Sequence, residues 1–296
     1  MKSRLTDLEN DKTGLKIVFQ IFVILLIFIL SHLVGGVIVD VIYLVTRLNL
    51  PIIFISLRCI AEIGLFYLFM HLYVSKVLKR EMACFRITKP SFSVFWIIIS
   101  IMLPAFVILY YLIFTNGTLS YGTSESSMYY IVYALRIGLT AGITEEFLFR
   151  GLIMKLVEER WNKTVAVIVP SIIFASFHLF QGMGSIDIIF LFIAGITVSV
   201  MFALVTYLTD NIWNAVTLHA LWNILVIGIF QISPDVGFES LINYVIDSNN
   251  VLITGGRFGI ESGLPAILGY VTVIIITFVL GRKNQRLSSF SAEQGM

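Results

Sequence analysis

Two adjacent carboxylates and a guanidinium lie inside an apolar stretch, Thr144-Glu145-Glu146-Phe147-Leu148-Phe149-Arg150. Charge at membrane depth is costly, so such groups usually face a bundle interior or a wet cavity, with a partner. Glu146 and Arg150 are four apart, acid before base, which puts them on one helix face in the favourable order. Glu145 points about 100° away round the helix and is not obviously neutralised by Arg150. One carboxylate is then available to hold structure and the other for chemistry. Three more polar residues sit deep in apolar segments. His178 closes Phe174-Ala175-Ser176-Phe177-His178, and His219 and Asn223 bracket His219-Ala220-Leu221-Trp222-Asn223. The spacing of four gives His219 and Asn223 a common helix face.

A carboxylate, two imidazoles and an amide make a hydrolytic set. A glutamate can take a proton from water when burial raises its pKa. A histidine can position that water or protonate a leaving amine. An imidazole N–H and an Asn amide can stabilise the oxyanion of a tetrahedral intermediate. Glu145, His178 and His219 could instead bind Zn²⁺, which takes three protein ligands plus water in catalytic sites. The local HExxH zinc signature is absent. A role for a cofactor is left open by the residues alone.

The elements that must position these groups are membrane helices. The chain has 296 residues, 58% hydrophobic and 13% charged, with a mean hydropathy of +0.95. Soluble domains are about 45–50% apolar and about 25% charged. The composition predicts an all-α, polytopic membrane bundle forming one domain, 1–296. The net charge of +2 gives no indication of a nucleic-acid partner. The two cysteines, Cys59 and Cys84, form neither a disulfide framework nor a CxxC metal motif. The polar N-terminus leads into a long apolar segment without a small-residue cleavage pattern, which reads as a first span rather than a signal peptide.

With about 20 apolar residues per span, eight helices are expected. They run from about Leu15 to Val45, Pro51 to Val77, Phe92 to Phe114, Ser127 to Val157, Thr164 to Phe180, Ile186 to Leu208, Asn211 to Phe230 and Leu264 to Leu280. A charged outer loop fills Gln231 to Gly263, carrying Arg257 against Asp235, Glu239, Asp247 and Glu261. Basic residues collect at alternate connections: Lys2, Arg4, Lys12 and Lys16; Lys76, Lys79, Arg80, Arg86 and Lys89; Lys155, Arg160 and Lys163; Arg282, Lys283 and Arg286. Because positive loops stay cytoplasmic, both termini are expected inside. On this count Glu145 lies roughly 18 Å above the inner end of its helix, His178 roughly 21 Å, His219 roughly 12 Å and Asn223 roughly 18 Å. The four therefore share one layer near the bilayer middle.

The set resembles the CAAX-protease and bacteriocin-processing family of intramembrane proteases, also called the Abi or type II CAAX prenyl endopeptidase family. That family shows Glu-Glu-x-x-x-Arg, Phe-x-x-x-His and His-x-x-x-Asn motifs on successive membrane helices. Here they match as Glu145-Glu146 with Arg150, Phe174 with His178, and His219 with Asn223. The likeness covers a core of about 134–230. It implies that Glu145 is the general base, that His178 helps hold the water, and that His219 and Asn223 stabilise the oxyanion or help bind a metal. Glu146 and Arg150 would support the site. It implies an endopeptidase in a bacterial plasma membrane acting on a membrane-associated peptide or protein, more firmly than it implies a prenylated substrate.

Other readings are carried alongside. Each motif alone also fits interhelical hydrogen bonding or a structural ion pair. The chain could be a non-proteolytic membrane partner of a sensor kinase or a bacteriocin-immunity protein, or a transporter using the cluster as a proton relay. Phe174 is expected to pack. Arg58 and Glu62, four apart, are expected to pair. Asp40 and Arg136 are expected near helix ends, within reach of solvent or headgroups. The outer loop could cap the site or contact a partner.

Overall fold

The computed structural model describes residues 14–179, 182–234 and 240–294. The expectations placed on Lys2, Arg4, Lys12, Asp235 and Glu239 lie outside the described residues. The first two helices are α1 (Gly14–Thr46) and α2 (Pro51–Leu72), the latter running on through a wide turn, Tyr73–Val77. Pro51 stands at the start of α2, where its missing N–H has no intrahelical partner to lose. α3 (Val94–Phe114) contains Pro104. α4 (Ser127–Glu146) continues through a wide stretch, Phe147–Ile153, into α5 (Met154–Arg160). Next come α6 (Lys163–Phe177), α7 (Ser185–Thr209) and α8 (Trp213–Trp222), which continues as a second wide stretch, Asn223–Ile229. After the short α9 (Val251–Thr254) and two 3₁₀ turns comes α10 (Leu264–Gln294).

Among the described residues, five helices are long and apolar enough to cross a membrane: Gly14–Thr46, Pro51–Val77, Val94–Phe114, Ser185–Thr209 and Leu264–Lys283. The segments that carry the candidate site are different in kind. Trp213–Ile229 and Lys163–Phe177 are shorter, and every residue of Phe147–Ile153 is buried. The long helices present apolar surface outward: Phe19, Phe22, Ile60, Met102, Ile113 and Phe278 are all exposed. The charged groups of the site are thus held on these segments, packed against Ser185–Thr209, which supplies Ser199 and Phe202.

The protein is mostly helical, as an all-α bundle requires, and the structure adds strands to it. A three-stranded sheet, ordered β1-β3-β2, is built from β1 (Gly117–Tyr121), β2 (Phe230–Ser233) and β3 (Ile242–Ile246). β1 pairs antiparallel with β3, Gly117 opposite Ile246, and β2 pairs parallel with it, Phe230 opposite Ile242. These strands lie in connections that read as loops. Their backbone groups need partners once these segments cover the bundle end, and a ladder supplies them. Ile232, Tyr244 and Ile246 are buried beneath the sheet, in the same cluster as Trp222 and Tyr270.

The opposite end of the bundle is tied by ions. Arg80 donates to both Glu159 oxygens at 2.7 Å, and Arg86 pairs with Glu158 at 2.8 Å and Asp210 at 3.1 Å. The basic loop after α2, the end of α5 and the α7–α8 turn therefore meet at one end. The Arg58–Glu62 pair forms as expected, at 3.1 Å. Asp40 and Arg136 join it, Asp40 bonding Arg58 at 3.1 Å and Arg136 bonding Glu62 at 2.9 Å. What read as two separate helix-end charges is one network spanning α1, α2 and α4.

Packing between α4 and α8 depends on small residues. A Cβ at Gly138 would stand 2.5 Å from the Ala220 carbonyl and 2.3 Å from Ile224, and one at Gly142 would stand 2.9 Å from the Ala220 N and Cβ. Gly228 approaches Ala134 in the same way, its missing Cβ 2.4 Å from that methyl. Close approach through small residues spaced four apart is a general solution for membrane helices. Gly142→Leu is expected to destabilise the protein by about 1–3 kcal/mol or more through overpacking, visible as a lowered thermal unfolding midpoint in detergent. An unchanged midpoint would show that the two helices can separate at no cost.

Candidate active site

Glu146 is the centre of the buried polar cluster. Its Oε1 accepts from Arg150 at 3.1 Å and from His219 Nδ1 at 2.8 Å. The Glu146 and Arg150 side chains are 0% and 1% exposed, so the pair is shielded from both lipid and water. Arg150 also donates to the Ser199 hydroxyl at 2.9 Å and carbonyl at 3.2 Å. Its guanidinium lies 4.8 Å from the Phe174 ring centre and 5.0 Å from that of Phe202. Phe174 does pack, and its neighbour is this cation. The pairing read from the spacing of four is present, and the structure adds that it fastens α8 to α4.

His219 stacks on Phe202, with ring centres 5.0 Å apart and 13° between planes. With Nδ1 donating to Glu146, the ring is fixed in orientation and Nε2 is left for other partners. Neutral, Nε2 accepts; protonated, it donates. His178 is oriented by its own segment. It stands just past the last helical residue, with φ −93° and ψ 2°, and its Nδ1 donates to the Phe174 carbonyl at 2.8 Å. The expectation that the fifth helix runs to Phe180 is corrected: the helix ends at Phe177. His178 caps it, so the ring is positioned by the cap and not by a continuing turn.

Glu145, His178, His219 and Asn223 line one cavity of about 150 Å³, which has room for several waters. Glu145 Oε2 is buried without a hydrogen-bond partner. An orphaned carboxylate oxygen on the wall of such a cavity is a natural seat for a water. Asn223 is buried and begins the wide stretch after α8. Wide turns of this kind concentrate at functional sites, and here the two nearest the cavity begin at Phe147 and Asn223.

The expected ligand set Glu145, His178 and His219 does not gather as a metal site. Among the described residues, no group of three or more His, Cys, Asp or Glu side chains could hold a metal ion. Nδ1 of each histidine is engaged, one by Glu146 and one by Phe174, which leaves Nε2 as the free nitrogen of each ring. As placed, Glu145, His178 and His219 do not converge on one ion.

Residues 127–225 match the family described as Type II CAAX prenyl endopeptidase Rce1-like. The match covers about a third of the chain and includes all six candidate residues: Glu145, Glu146, Arg150, His178, His219 and Asn223. No curated protein matches the chain. Together with the apolar helices, the match points to a multi-pass membrane protein that is similar over these residues to that endopeptidase family.

One cavity residue was not singled out from the sequence. Glu261, counted only among the outer-loop charges, lines the same cavity as Glu145, and its Oε1 accepts from Trp222 Nε1 at 2.8 Å. Burial pushes its carboxyl above the usual range, opposed by the Trp222 hydrogen bond and by the nearby His178 and His219. The signal available in sequence was weak: an isolated acid between glycines, just ahead of a span. It also lies outside the matched residues.

The two glutamates should separate by stability. Glu146→Ala leaves the buried Arg150 without its carboxylate and is expected to cost about 3–5 kcal/mol, lowering the unfolding midpoint and the amount of protein in the membrane. Glu145→Gln removes a group with an unpartnered oxygen and is expected to leave the midpoint within about 1 kcal/mol of wild type. Equal losses in both variants would contradict the division of labour drawn here.

Proposed function

We propose that the protein is an intramembrane endopeptidase that hydrolyses a peptide bond with water activated by Glu145. The observation that carries this reading is the orphaned Glu145 oxygen on a cavity shared with His178, His219 and Asn223. A carboxylate with no structural partner is otherwise a pure cost inside an apolar bundle.

In this reading a water sits between Glu145 and His178 Nε2, which accepts one of its hydrogens. Glu145 takes the other proton as the water oxygen adds to the substrate carbonyl carbon. The negative charge that develops on the carbonyl oxygen is met by the Asn223 amide and, when His219 is protonated, by its Nε2–H. The C–N bond then breaks, and the proton held by Glu145 goes to the leaving amine, which returns the carboxylate to its starting state. Glu146 touches no reacting atom. It holds His219 and Arg150, and through them the relative position of α4 and α8.

The topology that accompanies this reading is eight spans with both termini cytoplasmic, in a bacterial plasma membrane. The basic loops support it, because the clusters around Arg80, Arg86, Glu158 and Glu159 meet at one end of the bundle. The substrate class is a membrane-embedded or membrane-adjacent peptide or protein.

The test compares membrane and secreted peptides from cells carrying wild type, Glu145→Gln and His219→Ala at matched protein levels. A peptide or precursor that changes alike in both variants, with its turnover reduced about 10²-fold or more, supports the proposal. Unchanged peptides, together with full rescue of a deletion phenotype by both variants, would assign the protein instead to a non-proteolytic partner role.

A further inference from the structure

The outer loop delivers a second carboxylate to the cavity, and that carboxylate is held firmly. Glu261 lies in the 3₁₀ turn Ile260–Ser262. Trp222 Nε1 donates to its side chain at 2.8 Å and the Tyr270 hydroxyl donates to its backbone carbonyl at 3.3 Å. The surrounding loop is pinned elsewhere. Ser262 Oγ donates to the Gly255 and Gly259 carbonyls at 2.6 and 3.1 Å, the Arg257 N–H donates to Asp187 at 3.0 Å, and the Tyr111 hydroxyl donates to the Ile253 carbonyl. A segment fixed from α3, α7, α8 and α10 presents a preorganised group.

Trp222 engages one Glu261 oxygen, and Glu261 stands on the cavity wall. Around it the cavity wall includes the rings of Trp222, Tyr270 and Phe258. Trp222 and Tyr270 meet edge to face at 5.3 Å, and Phe258 meets His178 at 5.7 Å. Among the described lining residues there is no Lys or Arg. Arg150 is committed to Glu146 and Ser199. The cavity therefore carries two carboxylates, Glu145 and Glu261, the first with Oε2 unpaired, and His219 is already bonded to Glu146. A carboxylate flanked by aromatic faces is chemically suited to an ammonium or guanidinium group, which gains a charge-assisted hydrogen bond and contact with the π faces.

We propose that Glu261, with Trp222 and Phe258, forms a subsite that binds the Lys or Arg side chain of a substrate residue beside the scissile bond. The inference rests on the peptidase reading and adds a substrate class to it: apolar peptides that carry a basic residue at the cleavage site. Glu261 acts here in recognition, while Glu145 remains the base.

The experiment uses the full-length protein purified in detergent and a library of quenched fluorescent apolar peptides. Positions flanking the scissile bond carry Lys, Arg, Gln, Met or Glu. Wild type is expected to cleave Lys or Arg peptides at one position with a kcat/KM about thirtyfold or more above their Gln counterparts. Glu261→Gln, which keeps an acceptor for Trp222, is expected to bring that ratio towards one, with an unfolding midpoint close to wild type. The ratio measured on wild type alone already tests the idea, whatever the variant's stability. Cleavage without a basic preference would overturn the inference and leave the peptidase reading standing. A preference that survives in Glu261→Gln would remove Glu261 from the role. If wild type cleaves no member of the library, the peptidase reading fails and the inference falls with it.

Discussion

One carboxylate oxygen, Glu146 Oε1, ties the inner segments together. It accepts from Arg150 on its own rod and from His219 on α8. Away from water such a cluster is stable only if every charge is met, because an uncompensated ion there is far more costly than a surface one. The structure meets that demand for Arg150, while Glu146 Oε2 is buried without a hydrogen-bond partner. Arg150 has its carboxylate, a hydroxyl and a carbonyl from Ser199, and two aromatic faces. The consequence reaches beyond stability. Fixing His219 Nδ1 on Glu146 sets the direction of Nε2, so the ion pair and the orientation of a candidate catalytic ring are one construction.

That construction works only because the backbones come close. Gly138, Gly142 and Gly228 let α4 and the α8 rod approach to distances that any Cβ would block. Small residues do for this interface what apolar burial does in water, since lipid offers no hydrophobic drive between helices. The wide turns that begin at Phe147 and Asn223 sit on either side of the same contact. The site thus combines close backbone approach with local departure from regular helix, and both arise from needing polar side chains of two rods on one cavity.

The five long apolar helices and the sheet serve different ends. The helices expose apolar side chains outward, and α7 also brings Ser199 and Phe202 to the site. The sheet and the loop after it close one end of the bundle, and the Arg80–Glu159 and Arg86–Glu158 pairs close the other. Both closures join segments far apart in sequence, which places the cavity inside a bundle held at both ends.

The sequence by itself determined what depends on local spacing and composition. Glu146 with Arg150 and Arg58 with Glu62 were legible as pairs because four residues make about one helical turn. The apolar segments and the polar set of Glu145, His178, His219 and Asn223, which line one cavity, were legible because polar groups stand out against lipid-compatible runs. Only the tertiary structure decided what depends on elements meeting. Asp40 and Arg136, distant in sequence from Glu62, entered its network because α1, α2 and α4 pack together. The strands formed in apparent loops because backbone partners came from other segments. His178 proved to be a cap, since a helix end is set by the partners its last turn finds in space. Glu261 came to the cavity through Trp222 and Tyr270, contacts with no local signature at all. Periodicity fixes which face a residue takes on its own helix, and long-range packing fixes what that face will meet.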